Sequence, residues 1–230
     1  MDAAGEAVIE VPTAAGPGRL TVVAAARPRA VLWLGHGAGG GIGAVDLTVL
    51  ASALPSGGIT VVRYEQPWRV AGKRVASRPA ALDAAWLETA PVVDEFAGGL
   101  PVIAGGRSAG ARVACRTAGA AGAVAVLCLA FPLHPPGRPE ASRLDELLTP
   151  TVPVLVLQGD RDTFGAAEVL RSEVESASGS HDVRIVTVPG ADHGMKTLKS
   201  SPLGARDVRE LIVASAAAFI DHVLVTPASP

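Results

Sequence analysis

The stretch that decides the fold is PVIAGGRSAGARVACRTA, residues 101–118. Its beginning, Pro101–Ala104, is apolar and predicts a short buried strand, whereas Ala109–Ala118 is compatible with a helix. Between them Ser108 is flanked by glycines in the pattern Gly-x-Ser-x-Gly. A sharp turn from strand to helix needs glycines because neighbouring backbones approach closely there, and it leaves the serine side chain above the end of the strand. The pattern predicts a strand, a strained turn and a helix, with Ser108 as a candidate nucleophile.

Similar apolar or β-branched runs recur along the chain, and helix-compatible stretches separate most of them. The predicted strands are Leu20–Ala26, Ala30–Leu34, Ile59–Arg63, Pro101–Ala104, Ala123–Leu129, Val152–Leu157 and Val183–Val188. The predicted helices are Val45–Leu54, Pro79–Phe96, Ala109–Ala118, Gly165–Ser176 and Ala205–Val223. Strands that are apolar at nearly every position are typical of a parallel sheet covered on both faces. The order therefore predicts an α/β fold with a doubly wound, mostly parallel sheet and helices on both faces, with Val8–Ala26 as a candidate antiparallel edge hairpin.

Length and composition favour one domain spanning residues 1–230. Hydrophobic residues make up 49% of the chain and charged residues 18%, which supplies enough apolar material for one sizeable core. The formal net charge is -2, and only 3 of the 20 basic residues are lysines, so we expect no nucleic-acid partner.

The sequence also bears on location. The longest uncharged run, Thr117 to Leu133 before His134, falls short of the roughly 20 residues that a membrane helix needs, and glycines and a proline interrupt it. The N-terminus lacks the basic and apolar regions of an export signal. Cys115 and Cys128 are too few for a disulfide framework or a metal site. We therefore expect a cytoplasmic protein with no membrane association.

Two later loops supply the partners that a nucleophilic serine needs, namely a base that takes its proton and an acid that orients the base. Asp160 and Asp162 follow the predicted strand Val152–Leu157, and His193 follows Val183–Val188. The carboxyl ends of parallel strands meet at one edge of the sheet, so these side chains are expected near Ser108. The order predicts a triad of Ser108, Asp162 and His193.

Asp160 competes with Asp162 for the role of the acid, and either could instead serve a turn or cap the next helix. Asp160 directly follows the strand-terminal glycine and is expected to serve the turn, whereas Asp162 lies further out and can reach the histidine. Asp192 is adjacent to His193 and cannot easily turn its carboxylate onto that ring. The alternative for His193 is an ordinary turn histidine after Pro-Gly.

The glycine-rich loop Gly35–Gly41 follows the strand Ala30–Leu34. A tetrahedral intermediate needs two backbone N–H donors, one from the residue after the nucleophile and one from an early loop. Ala109 and Ala38 fit these positions and are the predicted oxyanion hole. One alternative is a phosphate-binding loop, but no Gly-Lys-Ser/Thr follows. The other is a dinucleotide-binding loop: Gly35, Gly37 and Gly40 match its glycine pattern, but no acidic residue stands at the ribose-binding position, although Glu65 lies close to it. We expect neither a metal nor an organic cofactor.

Substrate contacts are expected from two further segments. Tyr64, Trp68 and Arg69 lie in a basic stretch after the strand Ile59–Arg63, which could attract anionic substrates or be a solvated surface. The connection after Leu129 is too short for a cap domain, so we expect an open site. Part of that connection, with Phe131, Leu133 and His134, is expected to line one wall, although His134 could equally be a solvent-exposed loop residue.

Four motifs in this order, GHGAGG at 35–40, GGRSAG at 105–110, QGDRDTFG at 158–165 and ADHGMK at 191–196, resemble the α/β-hydrolase superfamily. The sequence is most similar to its small, lidless, dienelactone-hydrolase-like branch, which includes testis-expressed hydrolase-like proteins and a subunit of the non-specific-lethal chromatin complex. The stretch FPLHPPG at 131–137 supports that branch. The resemblance implies Ser108 as nucleophile, Asp162 as acid and His193 as base.

The expected activity is therefore hydrolysis of small carboxylic esters, thioesters or lactones through an acyl-enzyme. The alternative is a non-catalytic member of the fold that acts as a scaffold or binds a protein. Arg107, directly before the nucleophile, departs from commoner esterases, and it either pairs with a buried carboxylate or tunes the pocket.

Overall fold

An eight-stranded mixed sheet forms the centre of the protein, in the strand order β1-β2-β4-β3-β5-β6-β7-β8. The structure is a computed structural model that describes residues 5–226. The strands are β1 (Ala7–Val11), β2 (Gly18–Val23), β3 (Ala30–Gly35), β4 (Ile59–Glu65), β5 (Val102–Arg107), β6 (Ala125–Leu129), β7 (Val154–Gly159) and β8 (Val183–Val188). Strands β1 and β2 form the predicted antiparallel edge hairpin, β2 also pairs antiparallel with β4, and the remaining neighbours are parallel.

Helices cover both faces of the sheet, as the doubly wound fold requires. They are α1 (Val45–Ala53), α2 (Pro67–Val70), α3 (Pro79–Leu87), α4 (Ala90–Ala97), α5 (Ala109–Thr117), α6 (Leu144–Leu147), α7 (Ala167–Ser176) and α8 (Ala205–Val225). Alternate residues of β3 show the division, because Trp33 packs in the core under α3 to α5 and Leu34 packs in the core under α1 and α8. The predicted fold class is confirmed.

One predicted helix is wrong. The segment Pro79–Phe96 forms two helices, α3 and α4, that are separated at Thr89. Pro91 lies in the first turn of α4, where its missing N–H costs nothing, but its ring would collide with the carbonyl four residues earlier if the helix continued. The Thr89 hydroxyl donates a hydrogen bond to the backbone carbonyl of Trp86 at 2.7 Å, which gives that carbonyl a partner at the end of α3.

Three glycines bring α5 into backbone contact with the sheet. A Cβ atom on Gly110 would lie 2.4 Å from the carbonyl carbon and oxygen of Gly35, and one on Gly106 would lie 2.6 Å from the same oxygen. Real side chains do not tolerate such distances, so only glycine fits these positions. This contact fixes the first turn of α5, and with it Ser108, against the carboxyl ends of β3 and β5.

The connection between β6 and β7 contains only the one-turn helix α6, and no cap domain stands over the sheet within residues 5–226. Glu146 of this helix accepts hydrogen bonds from Arg112 on α5, at 2.6 and 2.8 Å, and from Arg116 one turn later. Burial alone would raise the pKa of Glu146, but the two guanidinium groups outweigh it and lower that pKa. The connection is thus fastened to α5 beside the site.

The longest helix, α8, has 21 residues, and among residues 5–226 no helix combines the length and apolar character needed to cross a bilayer. The first four residues, part of the segment on which the expectation of no export signal depends, lie outside the described residues.

Replacing Gly110 with alanine should reduce the free energy of unfolding by more than about 3 kcal/mol, because the new methyl group would collide with backbone atoms that cannot move aside. Chemical denaturation followed by circular dichroism measures the change. Gly119→Ala is the matched control, since a Cβ there meets nothing within 4 Å, and its stability should stay within about 1 kcal/mol of the wild type. Equal stability of the two variants would contradict the close contact.

Candidate active site

Ser108 occupies the turn between β5 and α5 in a strained backbone conformation. Its φ is 51° and its ψ is −111°, a combination that residues with a side chain rarely adopt. Its backbone N–H donates to the carbonyl of Leu129 at 2.9 Å, so the end of β6 holds the turn in place. The strain is what the Gly-x-Ser-x-Gly pattern predicts for a nucleophile elbow.

The structure brings Ser108, His193 and Asp162 together from three different loops. The Oγ atom of Ser108 lies 3.0 Å from Nε2 of His193, and Nδ1 of the same ring lies 2.8 Å from Oδ2 of Asp162. The Asp162 side chain is completely buried, whereas the imidazole is 21% exposed. This is the geometry of a serine with a base in reach and an acid that orients the base.

Asp162 is itself held by other groups. Its Oδ2 accepts a hydrogen bond from Nε2 of Gln158 at 3.0 Å, and its Oδ1 accepts one from the N–H of Phe164 at 2.8 Å. Gln158 was not predicted, because a glutamine at the end of an apolar strand carries no sequence signal that it contacts the acid. Phe164, also missed, stacks its ring on His193 with centroids 4.1 Å apart.

Asp160, the competitor of Asp162, and Asp192, which was excluded as the acid, both bind turns. Oδ1 of Asp160 accepts the N–H of Gly190 at 2.8 Å, and Oδ1 of Asp192 accepts the N–H groups of Gly194 and Lys196 at 2.7 and 3.0 Å. Each carboxylate therefore binds backbone and neither contacts the histidine ring. The placement of Asp160 agrees with the turn role expected from its sequence position, and Asp192 was expected only not to reach the ring.

Arg107 links α1 to the backbone of the loop that carries His193. Its Nε donates to Oδ2 of Asp46 on α1 at 3.0 Å, and its Nη2 donates to the backbone carbonyl of His193. Asp46 is 1% exposed, and burial raises its pKa even though the adjacent guanidinium lowers it. Of the two roles left open for Arg107, the structure shows the pairing with a buried carboxylate and adds a link to the base.

The glycine-rich loop lies against the candidate nucleophile. A Cβ on Gly37 would be 3.4 Å from Cβ of Ser108, which places Ala38 next to the turn. The backbone N–H groups of Ala38 and Ala109 donate to no protein acceptor within residues 5–226, so both are available for a ligand. These are the donors that the sequence predicts for an oxyanion.

His36 fixes this loop. Its Nδ1 lies 2.8 Å from the carbonyl of Gly37, and its Nε2 accepts the N–H of Gln66 at 3.1 Å, so the ring carries its proton on Nδ1. Burial lowers the pKa of His36, which keeps the ring neutral in this arrangement. The sequence placed His36 in the loop without revealing that it joins the loop to the segment after β4.

The expected substrate contacts need correction. Tyr64, Phe131 and Leu133 are fully buried core residues, and the Tyr64 hydroxyl donates to the carbonyl of Ala85 at 3.0 Å, so these three side chains present no surface to a substrate. Trp68 is 4% exposed and lines a small cavity beside Ala38. Arg69 is exposed near Gly41.

His134 is half-buried and lies next to Phe164. Its Nδ1 lies 3.0 Å from the carbonyl of Pro135, and its backbone N–H donates to the carbonyl of Phe164 at 3.0 Å. Its backbone thus supports the residue that stacks on the histidine. Among the described residues, no group of three or more His, Cys, Asp or Glu side chains is arranged to hold a metal ion.

A parallel sheet with a serine at a strained elbow, together with a histidine and an aspartate after its last strands, defines the α/β-hydrolase class. The chain belongs to the family described as Alpha/beta hydrolase domain, whose model matches residues 28–221. No curated protein matches the sequence.

Solved structures share the fold at low sequence identity. An α/β serine hydrolase without a lid from Xanthomonas campestris has 22% identity and a TM-score of 0.69 over 98% of this chain and 97% of its own. A dienelactone hydrolase from Anabaena variabilis has 16% identity and a TM-score of 0.72, with coverage of 96% and 99%. Thermogutta terrifontis esterase 2, solved phosphoramylated by tabun, has 16% identity and a TM-score of 0.67, with coverage of 97% and 96%.

Replacing Arg107 with methionine should lower the free energy of unfolding at neutral pH by about 3–5 kcal/mol, because it leaves the buried Asp46 carboxylate without its partner. Without the guanidinium, the already raised pKa of Asp46 rises further. In the folded variant Asp46 therefore stays protonated at pH values at which the same carboxyl of the unfolded chain, with a pKa of about 4, has lost its proton. The loss of stability should therefore grow as pH rises and level off above the folded pKa.

Denaturant titrations between about pH 4 and pH 8 measure this dependence. The double variant Arg107→Met with Asp46→Leu is the control, since it removes both charges and should be more stable than Arg107→Met alone at neutral pH. A destabilisation of the single variant that does not change with pH would contradict the role of Asp46.

Proposed function

We propose that the protein is a serine hydrolase of small carboxylic esters, thioesters or lactones, with Ser108, His193 and Asp162 as its catalytic residues. The observation that carries this proposal is the position of the His193 ring, within hydrogen-bond distance of Ser108 on one side and Asp162 on the other. A surface serine has no such neighbours, and turn residues alone would not require all three groups to meet.

In the proposed reaction, Nε2 of His193 takes the proton of Ser108, and Oγ attacks the carbonyl carbon of the substrate. The resulting oxyanion accepts hydrogen bonds from the N–H groups of Ala38 and Ala109. The imidazolium then gives its proton to the leaving alcohol or thiol, and the acyl group remains on Ser108. Water, deprotonated by His193, releases the acid in the second half of the reaction.

Asp162 keeps the Nδ1 proton of His193 pointing toward itself, so Nε2 stays free to act as base. Gln158 and the N–H of Phe164 orient the carboxylate, and Arg107 orients the backbone of the histidine. These three are positioning residues.

The structural neighbours include a dienelactone hydrolase and an esterase, which supports ester-type substrates for this chain as well. We also propose that the chain falls in the dienelactone-hydrolase-like branch. Exposed Arg69 and its basic neighbours, together with half-buried His134, are the remaining candidates for contacts with the substrate. The single domain over residues 1–230, the cytoplasmic location and the absence of a cofactor stay predictions.

A fluorophosphonate probe should label Ser108 in stoichiometric amount, because a serine activated by a histidine and facing an oxyanion hole attacks phosphorus as it attacks a carbonyl. Intact-protein and peptide mass spectrometry locate the adduct. Labelling should disappear in Ser108→Ala and His193→Ala, and an exposed serine replaced as a control, Ser56→Ala, should label like the wild type. Folded wild-type protein that neither labels nor cleaves short-chain aryl esters would support the scaffold alternative.

The choice of acid can be tested separately. Asp162→Asn should lower kcat for a short-chain aryl ester by about 10³–10⁴-fold, because the amide can donate to Nδ1 and so favours the wrong tautomer of His193. Asp160→Asn is the matched control, since its carboxylate binds only the turn at Gly190, and kcat should change less than about threefold. A more severe effect at position 160 would leave the serine mechanism in place and reassign the acid.

A further inference from the structure

The phenyl ring of Phe164 covers one face of the His193 imidazole. The two ring centroids are 4.1 Å apart and the ring planes meet at 28°, so the rings are nearly parallel. The imidazole is 21% exposed and Phe164 is half-buried, so solvent reaches part of the stacked pair. The hydrogen bonds of the triad use only the backbone of Phe164, and they leave the role of its side chain open.

The backbone of Phe164 is fixed independently of its side chain. Its N–H donates to Oδ1 of Asp162 at 2.8 Å, and its carbonyl accepts the N–H of His134 at 3.0 Å. Gly165, the next residue, has a φ of 126°, and a Cβ there would lie 2.7 Å from Cβ of Leu133. These contacts set where the phenyl side chain begins. A different side chain at position 164 therefore leaves the support of Asp162 in place.

A nearly parallel stack at this distance favours a charged imidazole over a neutral one. Two neutral aromatic rings prefer offset or edge-to-face arrangements with centroids about 4.5–7 Å apart, because their electron-rich faces repel each other. A cation within about 6 Å of a phenyl centroid is instead attracted by that face. In the proposed reaction His193 becomes a cation when its Nε2 takes the proton of Ser108, and the Phe164 ring lies where it can stabilise that charge.

Apart from Asp162, the charged groups around His193 do not bind its ring. The titratable and charged side chains on the surrounding segments are Asp46 on α1, Arg107 on β5, His134 on the β6–β7 connection, Asp160, Arg161 and Asp162 on the loop after β7, and Asp192 and Lys196 on the histidine's own loop. Within residues 5–226, only Asp162 of this set forms a hydrogen bond or an ion pair with the imidazole. The imidazolium therefore has two stabilising neighbours of different kinds, the Asp162 carboxylate at Nδ1 and the Phe164 ring on one face.

We propose that the side chain of Phe164 is a positioning residue that stabilises the imidazolium form of His193 during the reaction. The inference rests on the proposed function, because it assigns a role beside the base of that same site. The charge on His193 lasts from the transfer of the Ser108 proton until that proton passes to the leaving group. It returns when His193 takes a proton from water and ends when Oγ of Ser108 receives that proton, so the Phe164 ring acts in both halves of the reaction.

Fluorine substitution on the Phe164 ring provides the test, because each fluorine withdraws electron density from the ring face and changes the shape of the ring very little. Phe164 is replaced in turn by 4-fluoro-, 3,5-difluoro- and 3,4,5-trifluorophenylalanine, and kcat/KM for phenyl acetate is measured on the plateau of its pH profile. A cation–π contribution of the usual size predicts a stepwise fall that reaches about two- to fivefold. A ring that only fills space predicts no such trend.

Phe164→Leu removes the aromatic face and keeps an apolar side chain, so kcat/KM should fall by the same factor. Its pH profile should also reach half of the plateau at a pH lower by about 0.3–0.7, because the imidazole takes up a proton less readily without the phenyl ring. Phe164→Tyr restores an electron-rich face and should behave like the wild type. Phe96→Leu is the matched control, since Phe96 is exposed where α4 leads into the start of β5, at the edge of the sheet away from Ser108.

Proton NMR of His193 measures the same stack without turnover. The Cε1–H signal of His193, assigned by its loss in His193→Gln, should reach the midpoint of its titration at a lower pH in Phe164→Leu than in the wild type. Equal midpoints would overturn the effect on the charged ring even if Phe164→Leu is the slower enzyme, because the loss would then be one of packing.

The outcomes separate this inference from the function on which it rests. Fluorophosphonate labelling of Ser108 with cleavage of phenyl acetate, but a flat fluorine series and an unchanged pH profile, would overturn the role of the Phe164 side chain and leave the hydrolase standing. Absence of labelling and of all ester cleavage in the folded wild type would remove the proposed function, and the role of Phe164 with it.

Discussion

The backbone contact between Gly110 of α5 and Gly35 of β3 is the constraint on which the rest of the site depends. It sets how closely the helix approaches the sheet, and therefore how sharply the chain must turn at Ser108 between them. The same close approach puts the loop after β3 beside the turn at Ser108, so Ala38 of that loop and Ala109 of the turn lie near each other. A larger residue at either glycine would push α5, and with it Ser108 and Ala109, away from the loop that carries Ala38.

The features that follow from the order of strands and helices along the chain could be predicted from the sequence. The alternation of strands and helices predicts the sheet, and the loops after β5, β7 and β8 meet because parallel strands end at one edge. The sequence was less informative about which way a side chain points. Tyr64 near the end of a strand faces the core under α3. The break at Thr89 follows from Pro91, a local signal that the prediction of a single helix overlooked. The partners of Arg107 depend on contacts between distant segments, which one sequence does not reveal.

Two separate sets of contacts fix His193, one to its imidazole ring and one to its backbone carbonyl. On one side the carboxylate of Asp162, buried and hydrogen-bonded by Gln158, binds the ring nitrogen, and Phe164 covers the ring face. On the other side Arg107, paired with buried Asp46, binds the backbone carbonyl of the same residue. Fixing both ring and backbone leaves little freedom for His193 and suits a group whose position decides a proton transfer.

The fastening of the β6–β7 connection to α5 through Glu146 has a consequence for the fate of a bound acyl group. Within residues 5–226 no cap stands over the site, so an ester formed on Ser108 in the proposed reaction would stand at the boundary of bulk water. Water at its solution concentration would outcompete any dilute alcohol for that ester. For the proposed function, an open site of this kind favours hydrolysis over acyl transfer, and selectivity has to come from walls that do not move.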